Sequence, residues 1–184
     1  EQHRRGKLTM LPPDEQGALY ERAARLLERA GFGAYEISNF ARPGRESRHN
    51  QIYWTRGDYI GLGAGAHSHR ARRGPRRRFG LRWWNEKDFR RYIERVEKRG
   101  TARAGMERID RTKAMCETML LELRLAEGLD LGRYEALFGE SFTARHALAL
   151  EDLESEGFIE RAPGKVRLTA SGRNLADSLF ANLA

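Results

Sequence analysis

The residues best suited to chemistry lie together at Arg48-His49-Asn50-Gln51-Ile52-Tyr53-Trp54, where an imidazole stands beside an amide and two aromatic rings. Neutral imidazole ligates iron. A broad planar π-system, in turn, gains from edge-on or offset contact with rings such as Tyr53 and Trp54. The combination suits a flat ligand that carries a metal, with His49 as the metal ligand and Asn50, Tyr53 and Trp54 around it. The same residue types also suit a plain loop tie, in which His49 and Asn50 bond backbone groups and the two rings pack the loop down.

A second cluster, Gly61-Leu62-Gly63-Ala64-Gly65-Ala66-His67-Ser68, alternates glycine at the end of a predicted strand, which lets a ligand approach backbone N–H groups closely. It is not a dinucleotide fingerprint. The third glycine of G-x-G-x-x-G would fall at Ala66, and no helix with an acidic partner follows. A barrel strand whose glycines only permit tight packing accounts for it equally well. Upstream, Tyr35, Glu36, Ser38 and Asn39 stand at the C-terminal end of another predicted strand, where parallel α/β sheets and barrels put ligand-contacting residues. Seven arginines, Arg70, Arg72, Arg73, Arg76, Arg77, Arg78 and Arg82, crowd into thirteen positions after the glycine cluster. Such a run is expected to order only against an anionic partner.

The elements that must position these groups are mostly helical, since two Val and six Ile are set against abundant Ala, Leu, Glu and Arg. A first helix is expected over residues 14–30, preceded by Pro12 and Pro13, capped by Asp14 and closed by Gly31. Residues 33–38 and 58–63 read as strands, and the stretch between them, which carries His49, has no sustained periodicity and reads as a loop. Helix followed by strand suggests the tail of a βα array. Phe89, Tyr92, Ile93 and Val96 then mark a helix over 85–99, ended by Gly100.

The rest has a different character. A helix over 110–126 buries Ala114, Met115, Thr118, Met119, Glu122 and Leu125, and Gly128 stops it. Asp130 caps a short helix to Phe138, and Ser141 or Thr143 caps another to Glu156. FIER and KVRLT form a hairpin around Ala162-Pro163-Gly164, and Thr169 opens a last helix to about Leu183. Helix, helix, hairpin, helix is the order of a winged-helix unit. We place the domain division between residues 1–104 and 105–184, where small residues cluster.

Composition narrows the classes. A chain of 184 residues builds a core without staples, and its only cysteine, Cys116, excludes a cluster held by several of its own thiolates. Mean hydropathy is −0.73 and no apolar run nears the ~18 residues that cross a bilayer. The chain begins with Glu1 rather than Met and shows no secretory leader, so a piece of a longer, cytoplasmic protein is expected. A net charge of +8 and a pI near 10.0 admit anionic partners.

YEISNFARPG, SRHNQIYW and YIGLGAGAHS, in that order, followed by LLELRLAEGLDL and LTASGRNLADSLFANL, resemble the C-terminal half of the radical-SAM proteins related to oxygen-independent coproporphyrinogen III oxidase. The oxidase branch carries RNFQGYT where this chain reads RHNQIYW, and GxGxSAIS where it reads GLGAGAHS, so the resemblance is to the haem-chaperone branch, HemW. It implies an α/β fold, the C-terminal part of a partial βα barrel followed by a mostly helical, winged-helix-like domain. It also implies haem binding at His49, Asn50, Tyr53 and Trp54 for delivery to an acceptor protein, a membrane-associated one included. Ala66 and His67 would line the S-adenosylmethionine site of the parent. The family's CxxxCxxC motif for a [4Fe-4S] cluster is missing and is expected to precede Glu1, so the fragment itself is expected to be catalytically inactive. The alternative is coproporphyrinogen III oxidation by the complete parent. Open on this reading are the acceptor's identity, the oligomeric state, covalent or non-covalent attachment, and the second axial ligand, for which His3, His69 and His146 are candidates.

Nucleic acid is a weaker partner for this charge. The would-be recognition helix, SFTARHALALEDLESEGF, carries Glu151, Asp152, Glu154 and Glu156 against Arg145, and phosphates would be repelled. The arginine run at 70–82 could instead pair with haem propionates, since guanidinium forks match carboxylates.

Overall fold

A proline at the first helical position forfeits no hydrogen bond, and the first helix accordingly starts there. In the computed structural model, which describes residues 11–71, 79–176 and 178–179, α1 (Pro13–Arg29) has Pro12 at the N-cap position rather than Asp14, and Gly31 follows its end at φ 82°. His3, Arg72, Arg73, Arg76, Arg77, Arg78 and the end of the predicted last helix lie outside the described residues. The chain divides into two compact units between Glu46 and Ser47.

In the first unit, β1 (Gly33–Ala34) and β2 (Phe40–Ala41) pair antiparallel. The strand expected over 33–38 stops early because Glu36 turns inward. Glu36, 1% exposed and in a lone bridge position, accepts through its carboxylate from the Ser38 N–H at 2.8 Å and the Asn39 amide at 2.5 Å, which bends the chain at 37–39. The Tyr20 hydroxyl donates to the Ile37 carbonyl at 2.6 Å and fastens α1 to that turn.

The second unit opens with a helix where a loop was expected, α2 (Arg48–Trp54), whose cap Ser47 accepts from the Asn50 N–H. Three strands, β3 (His67–Arg70), β4 (Leu81–Asn85) and β5 (Arg103–Arg108), form an antiparallel sheet in the order β3-β4-β5. The strand expected over 58–63 is reduced to one bridge, Tyr59 to His69. The glycines explain it. A Cβ at Gly61 would overlap the His67 carbonyl, and the Asn85 amide draws in the Gly61 and Gly63 carbonyls, so the chain folds back on itself instead of running straight.

The helix predicted from Asn85 starts later, as α3 (Phe89–Arg99), because Asn85 closes β4 and Asp88 makes the cap to the Arg91 N–H at 2.9 Å. After β5, α4 (Arg111–Glu122) is capped by Asp110 and buries Ala114, Met115, Thr118, Met119 and Glu122 as the spacing predicts; it ends before Leu125, which is half-buried. There follow β6 (Leu129–Asp130), α5 (Leu131–Phe138), α6 (Phe142–Arg145), α7 (Ala147–Ser155), β7 (Ile159–Ala162), β8 (Lys165–Leu168) and α8 (Ala170–Asn174). The helix expected from Ser141 to Glu156 breaks at His146, whose φ of −112° is not helical. Strands β6, β8 and β7 make a second antiparallel sheet. Tyr134 packs its ring on Phe138 and Phe142, and these three are buried, as are Leu150 and Val166. Each such side chain contributes about 1.5–3 kcal/mol of apolar burial. The fold is mixed α/β.

Candidate functional site

The cap on Ser47 fixes the first turn of α2 and so fixes His49, which is exposed. Residues four apart on a helix are neighbours, and this brings Tyr53 onto His49. The Tyr53 hydroxyl lies 3.0 Å from His49 Nε2, with the ring centroids 4.8 Å apart at 81°. Tyr53 in turn sets its edge against Tyr59 at 4.5 Å, and Tyr59 leans on His69 at 5.9 Å. Four rings thus run from solvent into the sheet.

The inner end of that ladder is rigid. Tyr59 and His69 exchange two backbone hydrogen bonds of 2.9 Å, and His69 is 3% exposed with Nδ1–H donating to the Gly57 carbonyl at 2.9 Å. Burial lowers the His69 pKa, the Gly57 carbonyl opposes this, and the Arg56 and Arg82 guanidinium groups push it further down. The ring is therefore neutral at pH 7, and its buried Nε2 has no hydrogen-bond partner. Gly80, at φ 144°, leaves room for that nitrogen, since a Cβ there would come within 2.9 Å of it.

Trp54 does not share the His49 face. Five positions along a helix is a rotation of about 140°, and Trp54 lies under the Arg124 guanidinium at 5.2 Å with its indole N–H buried and unpartnered. Asn50 is half-buried on the first turn. Ala66 accepts from the Asn85 N–H at 3.0 Å, and the exposed His67 stacks on Trp84 across the sheet at 5.9 Å and 27°. Of the residues singled out from sequence, His49 and Tyr53 are brought into direct contact. In the first unit the Glu36 carboxylate accepts from the Ser38 backbone N–H and the Asn39 side-chain amide.

Sequence reasoning missed Arg56 and its partners. Arg56 sits just past α2 at φ 52° and reaches Glu117 at 3.4 Å, the Thr118 hydroxyl at 3.2 Å and the Phe79 carbonyl at 2.8 Å. Burial lowers its pKa against the pull of Glu117. Arg133 ties Glu122 and the Thr55 carbonyl, each at 2.7 Å; burial raises the Glu122 pKa, and Arg133 and the Asp130 N–H oppose that. Arg56, Asp58, Arg70, Phe79, Thr118 and Arg133 line a cavity of about 780 Å³. Nothing local in the sequence marks it, because Arg56 and Glu117 are 61 positions apart. Among the described residues no group of three or more His, Cys, Asp or Glu is placed to hold a metal ion, and no helix is long and apolar enough to cross a membrane.

The class of fold follows from a solved structure. The chain matches coproporphyrinogen III oxidase (HemN) from Escherichia coli, a radical SAM enzyme, with a TM-score of 0.68 at 18% identity, over 94% of this chain and 42% of that one. Residues 109–175 match the family described as HemN C-terminal domain. Among curated proteins, the heme chaperone HemW of Bacillus subtilis is 31% identical over 96% of this chain and 44% of its own length. HemW of Mycobacterium tuberculosis is 35% identical over 98% of this chain and 42% of its own. A radical S-adenosyl methionine domain-containing protein of Danio rerio mitochondria is 31% identical over 95% of this chain and 40% of its own. Over nearly its whole length the chain is similar to these HemW proteins, and it spans less than half the length of those it matches.

Proposed function

We propose that this chain is the haem-holding part of a cytoplasmic HemW-type chaperone, which carries haem as cargo and passes it to an acceptor protein. The observation that carries the reading is the exposed His49 imidazole, held at the start of a capped helix with an aromatic edge beside it. A porphyrin supplies four nitrogens of its own, so one protein imidazole suffices where a bare metal ion would need three or four ligands. A single exposed ligand also binds weakly enough to release. Tyr53 gives the macrocycle a ring edge. Asn50 on the same turn and Trp54 at the helix end complete the proposed surroundings.

The finer fold assignment belongs to the same proposal. Residues 1–104 would be the remainder of a partial βα barrel, running through β5 into a winged-helix-like unit over 105–184, with β7 and β8 as the wing. S-adenosylmethionine, contacted at Ala66 and His67, and a [4Fe-4S] cluster would serve the longer parent. The donors of this chain do not fit a cluster: Cys116 is its one thiol and lies half-buried on α4.

Haem titration of the chain, read at the Soret band, tests the reading against His49→Ala. Weaker binding and a shifted band in the variant are expected. Identical curves and spectra would remove His49 as the ligand. Turnover of coproporphyrinogen by a cluster-loaded parent would favour the oxidase instead.

A further inference from the structure

We propose that the Tyr53 hydroxyl is a latch on His49, which iron must displace before the imidazole can ligate haem. This rests on the reading of His49 as the haem ligand. An imidazole meets a porphyrin through Nε2, because Nδ1 stands next to Cβ and the backbone, and a macrocycle centred there would collide with them. In this structure Nε2 is the nitrogen that Tyr53 occupies, at 3.0 Å.

Both tautomers lead to the same competition. If the Tyr53 O–H donates, the Nε2 lone pair is already engaged; if Nε2–H donates to the phenol oxygen, that nitrogen has no lone pair to offer. The hydroxyl does not drift away freely either. Its ring is braced edge-on by Tyr59, Tyr59 is bonded through its backbone to His69, and His69 is pinned by the Gly57 carbonyl. The same ladder that positions His49 therefore also keeps it closed. Loading requires a swing of the Tyr53 hydroxyl or a change of the His49 rotamer, and the empty protein is restored when the hydroxyl returns.

Tyr53→Phe removes the hydroxyl and keeps the ring with both edge contacts. Haem titration and stopped-flow binding are compared for the parent chain, Tyr53→Phe, His49→Ala and the double variant. A net hydrogen bond is worth a factor of about two to ten, so Tyr53→Phe should bind haem about two- to tenfold more tightly and load faster. The gain should vanish in the His49→Ala background, because the hydroxyl acts through that imidazole. In haem-free protein the ¹⁵N resonance of His49 Nε2 should move in Tyr53→Phe, which a merely structural role of the hydroxyl would not require.

The outcomes separate the latch from the reading beneath it. Weaker binding in His49→Ala, with Tyr53→Phe no tighter than the parent, overturns the latch and leaves His49 as the ligand. Unchanged binding in His49→Ala overturns both. A gain in Tyr53→Phe that persists without His49, or an unmoved Nε2 resonance, also overturns the latch.

Discussion

Gly80→Ala should cost far more than a methyl group on a strand margin normally does. The residue sits at φ 144°, a region L-residues rarely adopt, and strain of that kind costs about 1–3 kcal/mol. The new Cβ would also come within 2.9 Å of His69 Nε2 and 3.3 Å of Ile109 Cδ1. His69 cannot retreat without giving up its bond to the Gly57 carbonyl, which is worth about 0.5–1.5 kcal/mol. Together these give a loss of about 2–4 kcal/mol, a large share of a typical domain's stability. Urea unfolding followed by tryptophan fluorescence measures it, with the midpoint falling and the slope unchanged. The same variant should speed haem loading and release together, because a displaced His69 loosens Tyr59 and with it both the ring edge and the hydroxyl of Tyr53 that hold His49. A loss under about 0.5 kcal/mol, within the range of an ordinary surface change, would show that the His69 ring is not confined as described.

His49→Ala should abolish the band of imidazole-ligated haem while leaving the urea midpoint within about 0.5 kcal/mol of the parent, since the ring is exposed. His69 and His146 are both held below the ordinary histidine pKa of 6.5, chiefly by burial. Their unfolded forms therefore bind protons that the folded forms refuse. Stability should be level above pH 6.5 and fall as pH drops toward the folded values, and His69→Gln should flatten the urea midpoint against pH without removing the His146 share. Phe138→Ala should cost about 3–5 kcal/mol by calorimetry or urea, because the ring is buried between Phe79 and Tyr134.

What the sequence discloses is what local chemistry decides. Asp110, Asp130, Ser141 and Thr169 each cap the helix that follows them, because the cap and the N–H it satisfies lie three residues apart. Gly100 and Gly164 turn the chain where expected. The three-stranded sheet β3-β4-β5 was illegible for the opposite reason. HSHR, LRWWN and RAGMER show no alternation of apolar and polar residues, and their partners are set by pairing across long gaps, Ser68 with Trp83 and Trp83 with Met106. The site was half legible: residue types marked His49 and Tyr53. The seven residues of α2, without an apolar stripe, gave no sign of a helix that puts His49 and Tyr53 on one face, and the bracing by Tyr59 and His69 depends on a fold-back through glycines.

Burial and exposure are divided along the ring ladder in a way that suits a carrier. A ligand sunk in a pocket would gain affinity from every wall and surrender it slowly, whereas His49 gets its orientation from below, through Tyr53 and Tyr59, and meets solvent above. The ring edge of Tyr53, as distinct from the hydroxyl that loading displaces, limits the ordering cost of binding without adding contact area. On the proposed reading, the far face of a porphyrin held by His49 would stay accessible to a ligand from another protein. Transfer would then proceed by exchange, the incoming ligand attaching before His49 departs and the Tyr53 hydroxyl reclaiming Nε2. On this view rigidity beneath the imidazole and openness above it are both needed, and altering Gly80, well away from the porphyrin's position, should disturb loading and release together.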